Sequence, residues 1–186
     1  MIEVTALPGV PPFARGLVRD LRVRWALEEA GLRYSAHLVT PEEADSPAYR
    51  ARQPFGQVPA FREDGFDLFE TGAIVLWVGE QSEALLPRDP QARARAVQWC
   101  FAALNSVEPH FMNLTTIDIF CEGEDWAMQR RPAVADMVRC RIAQVAAALG
   151  DRQWLDGERF TAGDLLMCTV MRMAPALVDE NAAIAA

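Results

Sequence analysis

The spacing of apolar residues changes character once along this chain, and that change most limits the folds open to it. Up to about residue 80 the period alternates between two and roughly 3.6; beyond Pro87 only the helical period remains. Ile2, Val4 and Ala6 alternate with Glu3, Thr5 and Leu7, which predicts a strand. After Pro8, Pro11 and Pro12, Leu17, Leu21 and Trp25 recur four apart, flanked by Val23, Leu27 and Ala30, a helical stripe that Gly31 can end. Tyr34, Ala36 and Leu38 mark a second strand. From Pro41 to Gln53 the chain is polar and at most locally helical. Asp64-Gly65 then joins Ala60–Glu63 to Phe66–Phe69 as a two-residue hairpin, and Ile74, Val75 and Val78 share one face of a closing helix. A helical crossover favours a parallel pair and a hairpin requires an antiparallel one, so the sheet is expected to be mixed.

The second half carries three helical stripes: Val97 to Phe111, Val134 to Leu149, and Leu166 to Leu177. Pro109 is expected to kink or break the first. The last has a readable start, with Phe160 placed to staple onto Leu165, Thr161 to cap, and Asp164 three positions on. The expected organisation is a small α/β domain over residues 1–81, a connector over 82–89 bracketed by Pro87 and Pro90, and an all-helical domain over 90–186.

Charge narrows the partners. Acids outnumber bases 26 to 18, the formal net charge is -8, and every base is arginine. That balance argues against nucleic acid held by phosphate contacts and against an anionic membrane surface. The longest uncharged run, Ala96 to Val107, is far shorter than the ~20 residues that span a bilayer. No basic region followed by an apolar run opens the chain, so no secretory signal is expected. Cys100, Cys121, Cys140 and Cys168 lack metal-knuckle spacing, and only His37 and His110 could join them. The expectation is no metal site and reduced thiols in a cytoplasmic protein.

Three local features carry chemistry. Gln57-Val58-Pro59 precedes a strand. A trans proline there simply starts the strand; a cis one turns the Val58 N–H and C=O outward, where an extended peptide can pair with them. Glu70-Thr71 precedes the apolar run Ala73 to Val78. Thr71 can cap the helix, or the same N–H groups and hydroxyl can take a ligand carboxylate while Glu70 holds an ammonium. Arg15, Arg19, Arg22 and Arg24 form a solvated face, or one of them points into a cleft.

The order of these pieces resembles the cytosolic glutathione S-transferase family, bacterial type. Arg22 to Tyr34 is similar to the end of its first helix and its second strand. Pro54-Phe55-Gly56-Gln57-Val58-Pro59-Ala60 resembles its cis-proline loop, Leu68 to Ile74 its acid-plus-hydroxyl element, and Leu155 to Asp164 its capping-box segment. The resemblance implies a thioredoxin-like N-terminal domain, an all-helical C-terminal domain and a homodimer whose cleft lies between the domains. It also implies glutathione as co-substrate, bound by Gln57, Val58, Pro59, Glu70 and Thr71: the backbone of Val58 would pair with its cysteinyl part, Pro59 would hold the cis turn, Glu70 and Thr71 would take its γ-glutamyl end, and Arg50, Arg52 or Gln53 its glycyl carboxylate.

Two departures qualify that expectation. The family activates the glutathione thiol with a tyrosine, serine or cysteine after the first strand, yet none of these occurs between Met1 and Leu32. One register places Pro11 at that position and the other places Val18 near it. Thr5 is the only hydroxyl, set inside the strand. What remains is thiolate stabilisation by backbone N–H groups from Phe13 to Gly16, helped by Arg15 or Arg19. Lowering a thiol pKa from about 9 toward 7 takes only about 2–3 kcal/mol. The resemblance also predicts more helix after Leu177 than the chain carries. The expected activity is transfer of the glutathione thiolate to a small hydrophobic electrophile, with Phe13, Phe101, Phe111 and Met112 as candidate lining. The alternatives are a glutathione-dependent isomerase and a binding or interaction module without chemistry.

Overall fold

The computed structural model describes residues 1–185. Contacts divide the chain into two units, residues 1–89 and the segment from Pro90 onward. The first unit is a thioredoxin-like sheet-and-helix domain. It runs β1 (Ile2–Ala6), a 3-10 turn (Pro12–Ala14), α1 (Asp20–Glu29), β2 (Tyr34–Leu38), α2 (Pro41–Ala44), α3 (Pro47–Arg50), β3 (Ala60–Glu63), β4 (Phe66–Phe69) and α4 (Thr71–Glu80). The sheet order is β2-β1-β3-β4. β1 pairs parallel with β2 and antiparallel with β3, and β3 pairs antiparallel with β4. The mixed sheet is the one the crossover and hairpin require. Asp64 and Gly65 both take positive φ (48° and 88°), the turn that matches strand twist.

β1 departs from simple alternation. It lies inside the sheet with both faces covered, so Val4 and Thr5 are equally buried. The first helix also begins later than its apolar stripe suggests. Gly16 sits at φ 80°, and Leu17 closes a turn back to the Ala14 carbonyl, so regular helix starts only at Asp20. Its buried face is Val23, Ala26 and Leu27, while Leu21 and Trp25 stay half-buried at the margin. α1 packs against α4, whose Ile74, Val75 and Val78 are fully buried. In the polar stretch, Thr40-Pro41 and Ser46-Pro47 each start a single helical turn, the hydroxyl accepting from the backbone N–H three residues on. The stretch 82–89 groups with the first unit; Leu85 and Leu86 are buried.

The second unit is mostly helical: α5 (Pro90–Phe101), α6 (Glu108–Thr115), α7 (Asp125–Leu149), α8 (Ala162–Met171), α9 (Pro175–Val178) and α10 (Ala182–Ala185). Pro109 does not break the run. It stands in the first turn of α6, directly after a π-helical turn, Ala102–Val107, whose wider backbone accommodates a residue that cannot donate. A second π turn, Thr116–Phe120, follows α6. α5 and α8 pack closely at Gly163, where an added Cβ would lie 2.5 Å from the Trp99 Cβ. At the start of α8 the Asp164 carboxylate accepts from the N–H of Leu155 and Thr161 and from the Thr161 hydroxyl. Phe160 stacks edge-on with Trp154, and Leu165 is fully buried.

Candidate functional site

Sheet register brings the Val58-Pro59 and Glu70-Thr71 elements together. Ala60 pairs with Phe69, so one step further Pro59 comes opposite Glu70 at the same end of the β3–β4 hairpin. Because β1 runs antiparallel to β3, its C-terminal end points the same way, and the Leu7–Arg19 segment leaves from that end. The Val58 loop, the start of α4 and the Leu7–Arg19 segment thus meet at this end of the sheet. The arginines of α1 are not one solvated face: Arg22 is buried, and the Arg24 Nε donates to Tyr34, which pairs with Ile2 at the opposite end.

The loop before β3 is held from within. The Val58–Pro59 bond is cis. Gln53, only 3% exposed, turns its side-chain oxygen into the loop and accepts from the N–H of Phe55 (2.8 Å) and of Gln57 (3.3 Å). Gly56, at φ 64°, allows the tight approach of Arg50, whose Nη2 would be 3.2 Å from an added Cβ. The Val58 side chain packs on Val39, Tyr49 and Ala60. Among the described residues, neither the N–H nor the C=O of Val58 has a hydrogen-bond partner. Gln57 is exposed, and Pro59 is buried at the strand start.

The start of α4 is open. Glu70 holds φ 71° and ψ 117°, a conformation that an ordinary side chain adopts only at a cost of about 1–3 kcal/mol. The first bond of the helix runs from the Ile74 N–H to the Glu70 carbonyl. The N–H groups of Thr71, Gly72 and Ala73 therefore have no acceptor among the described residues, as at any uncapped helix start. Thr71 is 6% exposed, and its hydroxyl likewise has no partner there. Three N–H groups, a hydroxyl and an exposed carboxylate suit the carboxylate and ammonium of an amino-acid head group.

The segment between β1 and α1 offers fewer free groups. The Ala14 and Arg15 N–H groups are committed to the Pro11 and Pro12 carbonyls, leaving Phe13 and Gly16 as the donors of that segment without a partner among the described residues. Arg15 is exposed, its Nε 3.4 Å from the Val10 carbonyl, and Arg19 is half-buried. Thr5 is unavailable: its hydroxyl faces Tyr49 at 2.9 Å and accepts from the Ala60 N–H at 2.7 Å. Cys100 is buried, which pushes its thiol up to about 12, with the Asp164 carboxylate adding to the rise. It is no candidate for a thiolate.

The remaining candidates divide. Arg52 is tied to Glu3 and Asp67, and Arg50 to Asp45 and the Pro54 carbonyl, so both guanidiniums already have anionic or carbonyl partners. Phe13 and Phe101 are exposed, Met112 is half-buried, and Phe111 is a core residue. Among the described residues, no three His, Cys, Asp or Glu side chains cluster as a metal site, and no helix is long and apolar enough to cross a membrane. Sequence reasoning missed Tyr49. It is the lone aromatic of a polar stretch, buried between the Ser46-Pro47 cap and the Pro54 loop, and that isolation was the available signal.

Residues 14–80 match the family described as glutathione S-transferase, N-terminal domain. The chain is 32% identical over 154 residues to a maleylacetoacetate isomerase of Pseudomonas aeruginosa, covering 78% of this chain and 72% of that protein. It is 32% identical over 124 residues to the glutathione S-transferase-like protein LUC7 of Fusarium sp, covering 64% of this chain, and it spans only 56% of that relative's length. Among solved structures, it resembles the theta class glutathione S-transferase of Xanthomonas axonopodis pv. citri, determined with glutathione bound. The TM-score is 0.77 at 25% identity, over 96% of this chain and 91% of the other.

Proposed function

The chain belongs to the glutathione S-transferase family, and from that premise we propose that it binds glutathione at the Val58 loop and the start of α4. We propose further that it transfers the bound thiolate to a small hydrophobic electrophile. The observation that carries this reading is the pairing of an unsatisfied peptide edge at Val58 with an uncapped, carboxylate-flanked helix start at Glu70-Thr71, set opposite one another by the β3–β4 register.

The Val58 N–H and C=O form a two-bond ladder with the cysteinyl residue, with Gln57 and Pro59 shaping the loop on either side. The α-carboxylate of the γ-glutamyl end takes the Thr71 hydroxyl and the first N–H groups of α4, and Glu70 takes its ammonium. The thiol, deprotonated near the Phe13 and Gly16 N–H groups and the cationic Arg15 and Arg19, attacks carbon; a sulfur–carbon bond forms and the electrophile's leaving group departs. Phe13 supplies exposed apolar surface for that electrophile. The four free cysteines suit a reducing compartment such as the cytoplasm. The exposed Phe66–Trp77 ring pair, 4.9 Å between centroids, suits a homodimer contact.

Glutathione binding by calorimetry, followed by turnover with an aromatic electrophile, tests the reading. Absence of binding removes it. Arg15→Ala and Arg19→Ala should raise the pKa of the bound thiol in a thiolate-absorbance titration, and no change in either variant removes the arginine role. Two other outcomes have support. Similarity to maleylacetoacetate isomerase favours a reaction in which the thiol adds to and leaves the same cis-diketoacid, recognised by isomerised product without conjugate. The commitment of Thr5 elsewhere favours a binding module, recognised by affinity without turnover.

A further inference from the structure

Tyr49 lies 3% exposed beneath the Val58 loop and touches it on one side, while Thr5, wholly buried on β1, touches it on the other. The Tyr49 hydroxyl donates to the Gln57 carbonyl at 2.7 Å. A phenol has one proton, so at its 2.9 Å contact with Thr5 it must accept. Thr5 therefore donates to Tyr49 and accepts from the Ala60 N–H at 2.7 Å. The result is a one-way chain: Ala60 N–H to Thr5, Thr5 to Tyr49, Tyr49 to the Gln57 carbonyl. Its two ends are the residues immediately before and after Val58-Pro59.

Geometry gives this chain a consequence for ligands. The Gln57 carbonyl and the Val58 N–H are two ends of one peptide group. A short hydrogen bond accepted at the carbonyl draws electron density from the nitrogen and makes the unpartnered N–H a better donor. Burial raises the Tyr49 phenol above its ordinary range, which keeps it protonated and donating.

We propose that Thr5 and Tyr49 are positioning residues: their hydroxyl chain fixes the Gln57–Ala60 backbone and primes the Val58 N–H, and so sets affinity for a peptide ligand. The ligand clause rests on the glutathione reading above; the loop clause does not.

Tyr49→Phe and Thr5→Val each remove a link while keeping shape. Each should raise the glutathione Kd about tenfold, as expected for one lost charge-neutral hydrogen bond plus its unsatisfied partner. Both together should cost little more than either alone, because one chain is broken once. Thr5→Ser should restore affinity to within about twofold. In turnover, KM for glutathione should rise while kcat at saturating glutathione holds. Amide hydrogen exchange, measured without ligand, should quicken at Ala60 in Tyr49→Phe although its direct partner Thr5 is intact. A Kd unchanged in Tyr49→Phe overturns the ligand clause, and exchange at Ala60 unchanged in that variant overturns the loop clause. If wild-type protein fails to bind glutathione, the function reading and the ligand clause fall together, and the exchange result still decides the loop clause.

Discussion

Two helix starts in this molecule use the same parts and end in opposite conditions. At α8, Thr161 stands at the cap with Asp164 three residues later. The carboxylate reaches back over the turn and takes the Thr161 N–H, the Thr161 hydroxyl and the Leu155 N–H, at 2.8–2.9 Å, while only 7% exposed. At α4 the order is reversed: the acid, Glu70, comes first and the threonine, Thr71, second. Glu70 is the residue before the first turn, held at φ 71° and ψ 117°, and its side chain accepts no hydrogen bond from that turn. The N–H groups there remain without acceptors among the described residues. Here the acid three positions after the hydroxyl closes its helix start, while the start that follows Glu70 keeps its N–H groups without a side-chain cap.

The comparison breaks most readily at α8. Asp164→Ala strips three buried donors of their acceptor at once and should lower unfolding free energy by about 3 kcal/mol in urea denaturation. A loss below about 1 kcal/mol would mean that the closed start is not a stabilising device. At α4 the matching change, Thr71→Val, should shift the urea midpoint little. It should raise the glutathione Kd about tenfold, because the hydroxyl has no internal bond to lose. A large stability loss with unaltered affinity would make the two starts alike. The smallest effect is the most specific: Glu70→Gly relieves the positive φ and should stabilise the fold by about 1 kcal/mol while weakening glutathione binding. Destabilisation instead would show that Glu70 serves the fold.

Much of this was legible from residue order. The Asp64-Gly65 turn, the closing helix from Thr71, the capping sequence at Thr161–Asp164 and the left-handed stop at Gly31 (φ 69°) are local features whose residues lie within one turn of each other. The candidate elements at Val58-Pro59 and Glu70-Thr71 were visible for the same reason. The late start of α1 was hidden because Leu17 continues an apolar stripe while Gly16 breaks the backbone. Pro109 read as a kink or a break because the helical period assumes four-residue bonds; the chain stays helical through it because a π turn precedes it.

By itself the chain of residues determined the strands, the helices, the hairpin and the kind of group each candidate could offer, since these follow from neighbours a few positions apart. Whether those groups are free was decided only on folding. Thr5 and Tyr49 are 44 positions apart, and their hydroxyls meet only because β1 pairs with β3 over the α3 turn. Arg52 finds Glu3 and Asp67 by the same closure of the sheet. A donor's availability depends on what tertiary contacts bring within about 3 Å of it, and no local pattern encodes that distance.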